Sequence, residues 1–124
     1  MKAIHTSGAP AALGPYSQAV CKKGFLFASG QIGIDPLTGT IGKSFEAQAE
    51  AIFTSLSNIL SAANMSFRNV VKVTIFIEDL MNFDTLNNIY ARYFHEPYPA
   101  RETIQVSRLP LNAALEISLI ASDL

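Results

Sequence analysis

Apolar residues recur every three or four positions from Phe45 through Ala49, Ile52, Phe53, Leu56, Ile59 and Leu60 to Ala63, the period of a helix that buries a single stripe. Ser44 stands where an N-cap is wanted, Glu46 suits the positive end of the helix dipole, and Asn64 tolerates the left-handed backbone that ends many helices. A strict alternation follows, with Val71, Val73, Ile75 and Ile77 set against Lys72, Thr74, Phe76 and Glu78. Period two predicts a strand with one face inward. Helical spacing returns in Phe83, Leu86, Tyr90, Tyr93 and Phe94, with Asn82 as the cap and Pro97 and Pro99 as the stop.

Shorter apolar runs supply the remaining strands. Residues 16–20 and 25–29 read as a hairpin across Lys22-Lys23-Gly24, and Thr40-Ile41 as a brief strand after a turn at residues 35–39. Residues 102–108 and 114–121 read as a second hairpin that turns at Leu109-Pro110-Leu111-Asn112. The order β-β-(β)-α-β-α-β-β predicts an α/β chain, more narrowly α+β: a two-layer sandwich of a mixed sheet of about six strands with both helices on one face. No linker or repeat divides the 124 residues, which suit one domain over residues 1–124.

Composition narrows the function classes. Only 15% of residues are charged while 49% are hydrophobic, against about 25% charged in an average soluble protein, so more apolar surface is expected than one subunit can hide. The formal net charge is -1 with no lysine or arginine cluster, which argues against nucleic acid. Apolar runs fall short of the roughly 20 residues needed to span a bilayer, and the N-terminus lacks a signal-peptide pattern. A cytoplasmic protein is expected. Cys21 is the sole cysteine, and His5 and His95 lie far apart, so no internal disulfide, zinc spacing or nucleophilic triad is predicted.

Two charged residues remain as candidate chemistry. Arg101, in Tyr98-Pro99-Ala100-Arg101-Glu102-Thr103, carries a planar fork of donors that matches a carboxylate. Glu116 lies in a strand where Leu115, Ile117 and Leu119 should face the helices, so Glu116, Ser118 and Ile120 should face away, as should Val70 and Phe76 on the earlier strand. That away face calls for another subunit. A hairpin centred near Leu111 would put Glu116 opposite Gln105 or Val106, roughly 13 to 17 Å from Arg101 at about 3.3 Å per residue. Sharing one site then requires either a bent strand or two subunits.

The segments Pro10-Ala11-Ala12-Leu13-Gly14-Pro15-Tyr16-Ser17-Gln18-Ala19, Ala28-Ser29-Gly30-Gln31-Ile32, Pro99-Ala100-Arg101, Val106-Ser107-Arg108-Leu109-Pro110 and Leu115-Glu116-Ile117 closely resemble the Rid (YjgF) family of reactive-intermediate deaminases, nearly end to end. The resemblance implies a chorismate-mutase-like fold assembled as a homotrimer with clefts between subunits. It also implies hydrolysis of 2-imino acids, such as 2-aminoacrylate with its imine tautomer and 2-iminobutyrate, to 2-keto acids and ammonia without cofactor or metal. Arg101 would hold the substrate carboxylate and Glu116 would position water, while Tyr16, Gly30, Thr103 and Asn87 would line the cleft. Thr103 stands where relatives frequently carry cysteine, and the loop at residues 95–98 is shorter than in some members. The competing expectation is a non-catalytic trimeric binder of small 2-keto acids, for which no water-orienting carboxylate would be needed. A ribonuclease reading is disfavoured by the weakly acidic chain.

Overall fold

The computed structural model describes residues 1–124. Strands β1 (Lys2–Ile4), β2 (Ala19–Lys22) and β3 (Phe25–Gln31) precede helix α1 (Phe45–Ala62); β4 (Val70–Ile77), α2 (Phe83–Tyr90), β5 (Ala100–Gln105) and β6 (Leu115–Ser122) follow. The six strands form one mixed sheet in the order β1-β2-β3-β6-β4-β5. One hydrophobic core of 25 buried residues lies between the sheet and the helices. The two-layer α+β sandwich read from the sequence is therefore the observed fold. No helix is long and apolar enough to cross a membrane.

Helix α1 begins as its sequence requires. The Ser44 side chain accepts from the Ala47 amide at 3.0 Å, Glu46 lies in the first turn, and Asn64 takes up the left-handed conformation just past the end, at φ 58°. The first hairpin is tighter than its three-residue reading. Lys23 and Gly24 alone connect β2 to β3, both with positive φ, the two-residue turn whose twist matches a hairpin.

The second hairpin does not exist. β5 pairs in parallel with β4, and β6 lies between β3 and β4, antiparallel to both. Leu115, Ile117, Leu119 and Ala121 are all buried, so β6 gains most from a central place. β5 carries Arg101, Glu102 and Gln105 and has no fully buried residue, which suits an edge. Residues 106–114 are the passage across β4, which extending the strand to residue 108 and turning at 109–112 overlooked.

Other departures are local. β1 went unread because only Ile4 of its three residues is buried, too little for a period. Residues 16–18 lie outside β2, because the Tyr16 amide bonds back to the Gly14 carbonyl at 2.8 Å and bends the chain. Thr40-Ile41 yields only an isolated bridge, Ile34 with Ile41. Helix α2 ends at Tyr90, and Tyr93 and Phe94 follow in a tightened turn packed against Phe53 and Phe67. Asn82 makes no side-chain cap; Asp79, at the preceding 3-10 turn, accepts from Met81 instead. An extra residue in β4 between the partners of Ala121 and Ile120 turns Val70 into the core and leaves Val71 exposed, the reverse of the simple alternation.

Gly33 shows how closely the loop after β3 is pressed onto α1. A Cβ there would fall 2.4 Å from the Cα of Gln48 and 2.7 Å from its carbonyl oxygen, so backbone rather than a side chain would have to yield. Gly33→Ala is expected to destabilise the protein by about 1 to 3 kcal/mol; an unchanged thermal unfolding midpoint would contradict this contact.

Candidate functional site

Arg101 is the second residue of β5 and pairs with Val73 of β4. Val73 faces the helices, so Arg101 does too. There it meets one stripe of α2. The guanidinium Nη2 donates to Asn87 Oδ1 at 2.8 Å, while its carbon lies 4.7 Å from the ring centre of Tyr90 and 5.6 Å from that of Phe83. Neither ion pair of the chain, Lys72–Glu102 or Arg92–Glu50, involves it. The cation thus has one amide oxygen, two aromatic faces and no carboxylate, with donors left over. Asn87, Tyr90, Tyr98 and Pro99 join it around a hollow of about 270 Å³. Burial pushes the Tyr90 phenol up to about 12 despite the opposing pull of Arg101, so it is neutral at physiological pH. Thr103 follows on the same side of β5, opposite Ile75, and its buried hydroxyl has no hydrogen-bond partner.

Glu116 pairs with Phe76, whose side chain lies on the opposite face of the sheet. Its carboxylate makes no hydrogen bond or ion pair within the chain and rests over Gly30. A Cβ on Gly30 would fall 2.6 Å from Glu116 Oε2. Gly30 belongs to a register shift in β3 between Ala28 and Gln31, and such bulges re-aim residues beside binding sites. Burial raises the Glu116 pKa above the ordinary glutamate value. Tyr16, 57% exposed, shares a cleft of about 610 Å³ with Glu116, Gly30 and Leu13, and so is not the packed strand aromatic its neighbours in sequence suggest.

The predicted residues therefore form two groups. Arg101, Asn87 and Thr103 lie on the helix side of an edge strand; Glu116, Gly30 and Tyr16 lie on the open side. Arg101 and Glu116 are opposite β4 residues three apart and separated by two inter-strand spacings, about 14 Å by strand geometry. The separation estimated from a hairpin is similar, but its cause is different: β4 intervenes and the two side chains point to opposite faces.

Three supporting residues escaped sequence reading. Tyr90 was taken only as core, although its spacing of three from Asn87 puts both on one face of α2. Gln18 is 2% exposed; its Nε2 donates to the carbonyls of Thr6, Ala9 and Pro10, and its Oε1 accepts from the Thr6 amide. It ties down the loop leading to Tyr16. Gln48 does likewise between Gly42 and Ala114. Gln18 lies in irregular chain and Gln48 in the first turn of α1, and a single buried glutamine adds nothing to an apolar period. No group of three or more His, Cys, Asp or Glu side chains converges in a way that could hold a metal ion.

Comparisons with known proteins bear on the fold and on the sequence as a whole. The sequence profile of the family described as Endoribonuclease L-PSP matches residues 6–123. A RutC family protein of Aquifex aeolicus is 49% identical over 98% of both chains. The chloroplastic Reactive Intermediate Deaminase A of Arabidopsis thaliana is 48% identical over 96% of this chain, which spans 64% of that longer protein. The 2-iminobutanoate/2-iminopropanoate deaminase of Bos taurus is 43% identical over 97% of this chain and 88% of its own length. The crystal structure of Escherichia coli TdcF with bound serine superimposes with a TM-score of 0.95 at 40% identity, covering 100% of both chains. The YjgF gene product of Escherichia coli superimposes with a TM-score of 0.95 at 38% identity over 100% of both chains. On this match of fold and of nearly the whole sequence, the chain belongs to the Rid (YjgF) family.

Proposed function

We propose that the chain hydrolyses reactive 2-imino acids, among them 2-iminobutyrate and the imine tautomer of 2-aminoacrylate, to 2-keto acids and ammonia. The observation that carries this reading is the uncompensated Arg101 guanidinium. A cation so held, with free donors beside a small hollow, is built to receive a carboxylate. One relative named a reactive intermediate deaminase and another named a 2-iminobutanoate/2-iminopropanoate deaminase support the same chemistry.

The second requirement is a water directed at the imine carbon. Glu116, without a partner of its own and with its pKa raised by burial, can accept a proton from water as the water oxygen bonds to that carbon. The tetrahedral adduct carries hydroxyl and amine on one carbon. The proton taken from water goes to the imine nitrogen to complete that amine, and transfer of the hydroxyl proton to the amine, again through Glu116, lets the C–N bond break, ammonia leave and the oxygen become the keto oxygen. No electrons are exchanged, and orientation of the reactants supplies much of the acceleration.

Because Arg101 and Glu116 face opposite sides of one sheet, this chemistry needs two chains. A homotrimer that brings the β5 edge of one subunit to the open sheet face of the next would unite them. That open face is apolar enough to be covered: Phe25 is 39%, Phe27 44% and Ile104 44% exposed. The family description as an endoribonuclease finds little support in the residues, since a net charge of -1 offers no basic stripe for a phosphate backbone.

Four outcomes are expected in an assay that generates 2-iminobutyrate in situ and follows 2-ketobutyrate. Arg101→Ala should lower kcat/KM by roughly 10- to 150-fold, the worth of a charge-assisted hydrogen-bonded pair, with little recovery in Arg101→Lys, which lacks the fork. Glu116→Gln should reduce kcat by about 100-fold or more. Wild-type kcat should also fall on the acid side with a midpoint above the ordinary glutamate value, because a base with a raised pKa is lost to protonation earlier as pH drops. Gly30→Ala should impair turnover by pushing the Glu116 side chain aside from Cγ outward, with only a small loss of melting temperature because the nearest atoms the new Cβ meets belong to that side chain and not to backbone; full activity there would remove Gly30 from the site.

A further inference from the structure

The clamp is itself built on something. Phe83, Asn87 and Tyr90 are spaced by four and three residues on α2, so they form one stripe along the helix, and all three contact the Arg101 guanidinium. Asn87 fixes one nitrogen. A single hydrogen bond leaves the guanidinium free to swing about it, so the orientation of the remaining donors depends on the surfaces it lies against.

Tyr90 is the firmest of those surfaces. Its residue is 6% exposed. Its ring stacks on Phe94 with centroids 4.4 Å apart at 27° and meets the edge of Phe53 at 6.3 Å and 73°. Phe53 is fully buried in the core, so the ring is anchored from behind. Phe83, by contrast, is 37% exposed and its ring is farther from the cation. The Tyr90 hydroxyl is buried without any hydrogen-bond partner, which means that it is not held in place by a polar contact and that its contact with Arg101 is made by the ring. The neutral phenol, with its raised pKa, keeps the ring face from acquiring a counter-charge that would compete with a carboxylate.

We propose that Tyr90 is a positioning residue of the carboxylate clamp, its buried ring serving as the platform that sets the plane of the Arg101 guanidinium and so strengthens binding of a substrate carboxylate. The inference rests on Arg101 being that clamp, as read above. It assigns the aromatic ring, not the hydroxyl, as the working part, and it assigns Tyr90 to binding rather than to the proton transfers.

Removing the ring and removing only the hydroxyl separate this role from a general packing role. The probe is 2-ketobutyrate, titrated calorimetrically onto the assembled protein, alongside kcat and KM for 2-iminobutyrate formed in situ. Tyr90→Phe keeps the platform and should leave Kd and KM within about twofold of wild type, with thermal stability equal or higher because an unpaired buried hydroxyl is gone. Tyr90→Leu should raise both Kd and KM by about 3- to 30-fold, the range of a partly desolvated cation–π contact, with kcat within about twofold. Arg101→Ala serves as the reference for complete loss of the clamp. Unchanged 2-ketobutyrate affinity in folded Tyr90→Leu, or a loss in Tyr90→Phe greater than tenfold, would overturn the platform role while leaving the clamp intact. Unchanged affinity in Arg101→Ala would overturn the clamp and the platform together.

Discussion

The register of β4 governs everything that can happen at the candidate site. This strand is held antiparallel to β6 on one side and parallel to β5 on the other, and its buried residues Val73, Ile75 and Ile77 fix which face meets the helices. Once that is fixed, the two-residue period of a strand leaves no choice. Arg101 shares a face with Val73 and turns to α2; Glu116 shares a face with Phe76 and turns away. A one-residue slip at either pairing would exchange those faces and bury the wrong set of side chains. The separation of the two charged residues is thus enforced by the core.

That separation explains the unusual condition of both groups. Arg101 is a half-buried cation with no acidic partner, and Glu116 is a half-buried carboxylate with no donor. Each carries a desolvation cost that its own chain does not offset. Joining the β5 edge of one subunit to the open sheet face of another would let a substrate compensate the first and give the second a water to hold. The aromatic stripe of α2 and the Gly30 bulge would then act as supports on either side of that junction: one would orient the fork, the other leave room for the carboxylate.

What the sequence disclosed follows from which forces are local. Helix α1, with its Ser44 cap and Asn64 end, and the alternation of β4 are written in residues adjacent in the chain, and so is the two-layer class. The insertion of β6 between β3 and β4 is not, because it is decided by competition among strands for burial. A Pro-containing turn read locally at Leu109-Pro110-Leu111-Asn112, within what is a nine-residue passage, hid it. The same limit applies to the site. Arg101 and Glu116 stood out as charges in a chain with few of them, and Asn87 came only through family resemblance, whereas Tyr90 and Gln18 act through contacts that only the folded chain creates. The bulges at Val71 and Gly30 likewise each depend on one extra residue that no simple period reveals.

The central claim is that one catalytic site takes Arg101 from one subunit and Glu116 from another, and mixing subunits tests it most directly. Arg101→Ala and Glu116→Gln chains would be unfolded together in equal amounts, refolded, and assayed for 2-iminobutyrate hydrolysis beside each variant refolded alone. If sites form between subunits of a cyclic trimer, random assortment leaves both residues intact in about a quarter of the sites, so the mixture should regain about a quarter of wild-type activity. A mixture no more active than the two variants alone, once exchange of subunits is verified by mass, would contradict the account.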